Sequence, residues 1–414
     1  MSLLRFARIL RRQRTFPRIQ ILLVPLVYVT LLSMASHHLY KTPLYRMDSI
    51  QYMGNALLME NTDITRIHEQ VYAEVDRSIP EPERANVIGQ QIGAPPDQNR
   101  SRELRSHDAH RFAEFLPLFA IRPLYNQLLY LAYKSGIGLL RSTILISATS
   151  YFLLGVLLFL WMCKRSRLLL SAIFSSLLML SPPVLTLGRE NISDALATLV
   201  AFAALYLTFE KKTLTAGLSL LLASIYFRTD FVVLAGPVLM LCWMQRRTTF
   251  WQTAVLCALA VGSVFTINYC AGDYGIKMLY YRNFIGTPTA PGELTVLFSS
   301  RDYISGVGNG VRVAASGFFI PFLLLGLSGV LRAPRSTGLF LVALAYAVLH
   351  FAVLPNWQER WFVLFYLSMG VVANMALRHQ TKVPSHGSGS RHVLWGCEAA
   401  ENYNESSLDL VRSA

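Results

Sequence analysis

Charge is scarce in this sequence. Asp, Glu, Lys and Arg make up 15% of its 414 residues, while 53% are hydrophobic. A soluble chain of this length needs more polar surface, so the composition points to a membrane protein. Acids are the scarcer sign, 24 against 38 Lys and Arg, for a formal net charge of +14. No basic groove pattern with stacking aromatics accompanies that charge, which sets nucleic acid aside as a partner. Cysteine is sparse too. Cys163, Cys242, Cys257, Cys270 and Cys397 show no CxxC spacing, which argues against a zinc ribbon or a disulfide framework. HExxH, GxSxG and P-loop patterns are absent, so protease, hydrolase-elbow and ATPase readings have no motif.

What the chain has in quantity is long apolar runs. A membrane span needs about 20 mostly apolar residues. Ten segments qualify as candidates: 19–38, 139–163, 168–187, 191–209, 212–227, 230–245, 251–270, 313–331, 336–354 and 360–377. The fifth and sixth are short and read as one hairpin broken at Phe227-Arg-Thr-Asp230. The expected fold is an all-α polytopic membrane protein with about ten transmembrane helices. Basic clusters fall on every second connection: Arg5 to Arg18, Lys164-Arg-Ser-Arg167, Lys211-Lys212, Arg246-Arg247, Arg332/Arg335 and Arg378/Lys382. Lys and Arg in short loops mark the cytoplasmic side, so both termini are expected inside. The first apolar core runs about 17 residues, longer than the ~7–15 of a secretory signal, which favours a retained span over cleavage after Ser33-Met-Ala35.

Three regions follow: a basic cytoplasmic N-terminus at 1–18, a membrane domain at 19–377, and a Ser/Gly-rich tail at 378–414 expected to be disordered. Two connections on the outer side are long. The first, 39–138, holds 12 of the chain's 24 acids. Its later part, Phe112 to Tyr133, is apolar but interrupted at Arg122-Pro123, which predicts an interfacial helix and then a short second one. Asn86 to Ser101, rich in Gln, Pro and Gly, is expected to be a mobile loop. The second, 271–312, has a Pro and Gly content that argues against a compact domain.

An extracytoplasmic face has no nucleotide supply, so group transfer there must draw on an activated lipid carrier. That chemistry needs a base, cations for a phosphate and an apolar groove. Asp48, in Tyr45-Arg-Met-Asp-Ser-Ile-Gln-Tyr52 just past the first span, is the candidate base, with a helix N-cap as its other reading. Glu190, in the short turn Gly188-Arg-Glu-Asn191, is a second candidate, because an acid this close to a bilayer is costly unless paired. Arg189 or Arg228 could be its partner, and pairing is as good a reading as catalysis. Asp230, two residues after Arg228, carries the same ambiguity. Arg282, Arg301, Arg312 and Arg360 are candidate phosphate binders, since a guanidinium donates two parallel bonds; snorkelling to the interface is the competing role for each. Tyr45, Tyr52, Tyr125, Tyr280, Tyr281, Trp357 and Trp361 could stack on sugar rings or form an interfacial belt. His107-Asp-Ala-His110 offers HxxH spacing for a divalent metal, against a solvated polar face. Asn99-Arg-Ser101 and Asn191-Ile-Ser193 fit the glycosylation sequon.

The basic N-terminus, single span and outer loop opening with Asp48 and Tyr52 resemble the membrane-embedded glycosyltransferases of the GT-C type. Protein O-mannosyltransferases and bacterial lipid A aminoarabinose transferases are the most similar groups. Ile121-Arg-Pro-Leu-Tyr125 looks like the stretch ending their first loop. Ile225-Tyr-Phe-Arg-Thr-Asp230 is similar to an Arg-containing turn between their middle helices, and Glu359-Arg-Trp-Phe362 to the Arg-aromatic opening of a late span. The resemblance implies Asp48 as catalytic carboxylate, Arg360 near the lipid phosphate, and Glu190 where some members carry an acid. It implies a polyprenyl-phosphate sugar donor, a glycan, lipid or protein acceptor, and residence in a bacterial inner membrane or in endoplasmic reticulum. Here Asp48-Ser49 stands where the mannosyltransferases carry Asp-Glu. A transporter or flippase of lipid-linked glycans predicts charges in mid-span, whereas here they cluster near span ends. A polysaccharide polymerase or ligase, with a large late outer loop, is a further alternative.

Overall fold

The computed structural model describes residues 18–90, 93, 96–210, 213–272, 281, 299–355 and 357–377. These form helices, and among them the β-structure is one isolated parallel bridge, Leu44 with Glu190. The first apolar helix is α1 (Arg18–Lys41). The long loop after it holds seven helices: α2 (Asp48–Leu57), α3 (Ile64–Ser78), α4 (Glu81–Ile88), α5 (Pro96–His107), α6 (Ala109–Phe115), α7 (Pro117–Ala120) and α8 (Pro123–Lys134). Next come α9 (Leu139–Cys163), α10 (Leu168–Met179), α11 (Pro182–Arg189), α12 (Asp194–Phe209), α13 (Leu214–Phe227), α14 (Val232–Met244) and α15 (Phe250–Cys270). The chain closes with α16 (Ser300–Ser316), α17 (Phe319–Arg332), α18 (Thr337–Val353) and α19 (Val363–Leu377).

The expected count of about ten spans is not confirmed. Among the described residues five helical stretches are long and apolar enough to cross a membrane, or seven if two bent pairs each count as one. The bent pairs are α10–α11, at 65°, and α16–α17, at 66°. The other three expected spans are shorter apolar helices. α12 has 16 residues and α13 has 14, so at ~1.5 Å per residue they reach about 24 and 21 Å, short of a hydrocarbon core of ~30 Å. The expected break of the middle hairpin is present: α13 stops at Phe227, Arg228 is extended, and Thr229–Phe231 forms a 3-10 turn.

Local chemistry accounts for several breaks. Pro43 follows the end of α1 and disfavours helix at Thr42. Pro182 and Pro183 open α11, where missing N–H groups cost nothing, and they end the run of α10. Such irregular backbone is tolerated at membrane depth where protein surrounds it or where it lines a cavity.

The apolar helices share one large core. The long loop has a second. There Ile67, Val71 and Val75 of α3 meet Phe112, Leu116 and Phe119, with Tyr52 and Met53 of α2 between. The stretch expected to lie in the interface therefore turns its rings inward, because α3 supplies an apolar stripe at helical spacing opposite them. Its break at Arg122-Pro123 falls as expected, between α7 and α8. Asn86 to Ser101, expected as a mobile loop, is in large part the end of α4 and the start of α5. Within 271–312, α16 begins at Ser300, while 273–280 and 282–298 lie outside the described residues, as do 1–17 and 378–414.

Candidate functional site

Four interrupted ends meet at the face of the bundle that holds the long loop. They are the turn after α1, the turn between α11 and α12, the break between α13 and α14, and the 3-10 turn Glu359–Phe362. The first two are tied backbone to backbone. Leu44 N–H donates to Arg189 O at 2.9 Å, and Arg46 N–H donates to Asn191 Oδ1 at 2.9 Å. The tie sets Arg46 beside Glu190 although 144 positions separate them.

The side chains form a chain of alternating charge. Arg46 donates from Nε to Glu190 Oε1 at 2.9 Å and makes a second, shorter bond to the same oxygen through Nη2. Arg360 Nη1 donates to Glu190 Oε2 at 3.0 Å, and its Nε lies 3.6 Å from Asp194 Oδ2. Arg228 pairs with Asp194 at 3.2 Å and with Asp230 at 2.8 Å. Asp230 is then bonded to His350 Nε2 at 2.7 Å. The basic members are less exposed along this line, from 48% at the Arg46 side chain to 14% at Arg360, 6% at Arg228 and 1% at His350, while the acids run from 0% at Glu190 to 2% at Asp194 and 17% at Asp230. Buried charges persist in an apolar body only when paired in this way.

A cavity of about 460 Å³ opens beside the Arg46–Glu190–Arg360 end. Its charged lining comprises Arg46, Arg102 and Arg360 with Asp48, Glu190 and Glu359. Asp48 is half-buried in the first turn of α2. The N-cap position belongs to Met47, so Asp48 is not the cap that its other reading required. Its negative charge helps to keep the Arg122 guanidinium protonated. A second cavity of about 460 Å³, between α1 and α9, is mainly apolar; its residues include Ser36, His37 and Phe152, and no carboxylate or guanidinium lines it.

Arg122, at the break before α8, lies 5.2 Å from the centre of the Tyr52 ring, and its Nη1 is buried with no hydrogen-bond partner among the described residues. Burial pushes its guanidinium below the ordinary value; Asp194 pulls it back up, Arg228 pushes it further down, and Asp48 and Asp230 raise it. Tyr52 and Tyr125 are 0% exposed, with ring centres 4.8 Å apart, and line no part of the cavity. The Tyr52 hydroxyl is 3.3 Å from Ser193 Oγ. Burial raises the Tyr125 phenol above its ordinary value, with Arg122 opposing.

Of the expected site residues, Asp48, Glu190 and Arg360 converge on the cavity. Arg228 stands one link deeper, bridging Asp194 and Asp230. The expected partners of Glu190 need correction: Arg46 and Arg360 hold it, while Arg189 donates to Thr42 O at 2.8 Å and Arg228 serves the two aspartates. Arg301 and Arg312 are exposed on α16, outside the cavity lining. Arg282 and Tyr280 lie outside the described residues. Trp357 is not presented to a ligand: it stacks on Phe362 with ring centres 3.7 Å apart. Among the described residues no group of three or more His, Cys, Asp or Glu that could hold an ion is found, and the HxxH pair is not joined by a third such ligand. Instead Asp108 caps α6, and His110 pairs with Glu114 at 3.3 Å. Asn191 and Ser193 are wholly buried, which removes that sequon from use.

Sequence reasoning gave no site role to Arg46, Asp194, Glu359 or His350. The signal for Arg46 was present, two positions before Asp48. For His350 there was none beyond a polar residue near the end of an apolar run. Glu359 accepts from Phe318 N–H at 3.1 Å and Trp357 Nε1 at 3.2 Å, and closely from the Tyr366 hydroxyl, so it fixes the wall beside Arg360. No family model matches this chain, and searches of curated proteins and of solved structures also find no match.

Proposed function

We propose that this chain is an integral-membrane glycosyltransferase of the GT-C type, moving a sugar from a polyprenyl-phosphate donor to an extracytoplasmic acceptor with inversion. The observation that supports it best is the shared cavity. A half-buried carboxylate and three guanidiniums face one space at the broken ends of apolar helices. Asp48 takes the proton of the acceptor hydroxyl. The acceptor oxygen forms a bond to the anomeric carbon as the bond from that carbon to phosphate breaks, and the electron pair leaves with the phosphate. A single in-line displacement inverts the centre. Arg360 meets the growing phosphate charge, where fixed donors act most strongly. Glu190, with both oxygens engaged by guanidiniums, orients Arg46 and Arg360. Arg228 supports Arg360 from behind through Asp194.

The test is turnover of radiolabelled polyprenyl-phosphate sugars by purified protein in lipid, comparing wild type with Asp48→Asn. Transfer by wild type, reduced at least a hundredfold in the variant, supports the reading, since general-base catalysis contributes about 10²–10⁴-fold. Equal turnover in both removes Asp48 as the base. Movement of lipid-linked glycan across the bilayer without turnover replaces the reading with a flippase, for which the buried Asp194–Arg228–Asp230–His350 line would be the path.

A further inference from the structure

Arg46 differs from the other arginines of the ion-pair chain. Its side chain is 48% exposed, while its partner Glu190 is 0% exposed. The backbone under it is clamped by the bond to Asn191 Oδ1 and by Ser49 Oγ, which donates to Arg46 O at 2.6 Å. The guanidinium is therefore a half-exposed group on a fixed base, and it lines the cavity together with Asp48 and Arg360.

Glu190 does not depend on Arg46 alone for neutralisation. Its other oxygen accepts from Arg360, which also faces Asp194 and donates to Gln358 Oε1 at 3.0 Å. The donors of Arg360 are thus divided among two acids and an amide. Arg46 presents Nε and Nη2 to a single oxygen, Glu190 Oε1. That edge of the guanidinium is the one that grips two phosphate oxygens in parallel. Arg46 is reached from solvent and Glu190 retains a second guanidinium, so a phosphate entering the cavity can take this edge while Glu190 keeps Arg360.

We propose that Arg46 is a further phosphate-binding residue, and that Glu190 and the phosphate compete for it. The ligand class is a phosphate monoester or diester. Resting on the glycosyltransferase reading, it is the lipid-borne phosphate of the donor. Competition has a signature that a structural ion pair lacks: loss of Arg46 weakens phosphate binding, whereas loss of the Glu190 charge strengthens it.

The experiment uses the full-length protein in phosphatidylcholine nanodiscs, titrated with undecaprenyl phosphate, with undecaprenol and with inorganic phosphate. Arg46→Ala is expected to weaken undecaprenyl phosphate about tenfold or more and to leave undecaprenol unchanged. Glu190→Gln is expected to tighten undecaprenyl phosphate about threefold to fivefold. The same pattern with inorganic phosphate identifies the free anion as sufficient; a pattern confined to the lipid identifies the lipid headgroup. Unchanged affinity in Arg46→Ala overturns the inference, as does weakening by Glu190→Gln. Arg46→Ala alters a half-exposed side chain and keeps the test decisive even where Glu190→Gln does not fold. Unchanged affinity in an Arg46→Ala protein that still transfers sugar removes the inference and leaves the glycosyltransferase. The Arg46 binding pattern in a wild type that transfers nothing does the reverse.

Discussion

Arg228→Met is the perturbation that tests the buried ion-pair chain most directly. Arg228 is 6% exposed in its side chain and neutralises two acids, Asp194 at 2% and Asp230 at 17% exposure. Removing one partner of a buried pair costs about 3–5 kcal/mol, because a charge is left without compensation in an apolar surround. Neither acid here is stranded completely. Asp230 keeps His350 at 2.7 Å, and Asp194 keeps Arg360 at 3.6 Å. The expected loss is therefore at the lower end, about 3 kcal/mol. Adding Asp194→Asn to Arg228→Met removes one uncompensated charge and should recover about 1–2 kcal/mol, within the coupling range for groups in contact. The comparison variant is Arg84→Met. Its partner Glu81 is 75% exposed, and its loss should cost about 0–1 kcal/mol. Stability would be read from unfolding in mixed micelles by tryptophan emission, with buried Trp161 and Trp357 as reporters. An Arg228→Met protein within about 0.5 kcal/mol of wild type, the scale of a surface substitution, would refute the account. So would a double variant less stable than Arg228→Met alone.

Other consequences are sharp enough to measure. Gly317→Ala puts a Cβ against Glu359 Oε1, so the carboxylate that holds Phe318 and Trp357 must move; a loss of about 1–3 kcal/mol in the same unfolding assay is expected. Gly54→Ala meets Leu116 and Phe112 side chains at 2.6 Å and should cost a similar ~1–3 kcal/mol in the loop core. Tyr125→Phe removes a buried hydroxyl with no partner among the described residues. It should leave stability within about 0.5 kcal/mol and donor turnover unchanged, whereas a role in holding sugar requires turnover to fall.

Much of the architecture was legible along the chain. The apolar runs are helices, and the break at Phe227-Arg-Thr-Asp230 falls where it was expected. The break at Arg122-Pro123 was equally plain. Asp48, Glu190 and Arg360 were recognisable because an acid or a guanidinium at the end of an apolar run needs a reason to be there. Span length was less legible, since composition marks a segment as apolar without saying where its helix bends or stops. That is why two expected spans are bent pairs and three are short helices.

What the sequence by itself determined is the class of the molecule: apolar helices, a long polar loop rich in acids, and charges held to the helix ends. These follow from local composition and from backbone limits that act over a few residues. What only the tertiary structure decided is who pairs with whom. Glu190 meets Arg46 across 144 positions and Arg360 across 170, neither of which its own neighbourhood indicated. Tyr52 and Tyr125, expected as ligand contacts, became packing because α3 and α6 to α8 cover the face on which they lie. Long-range pairing depends on which broken ends the packing brings together, and no local pattern carries that information.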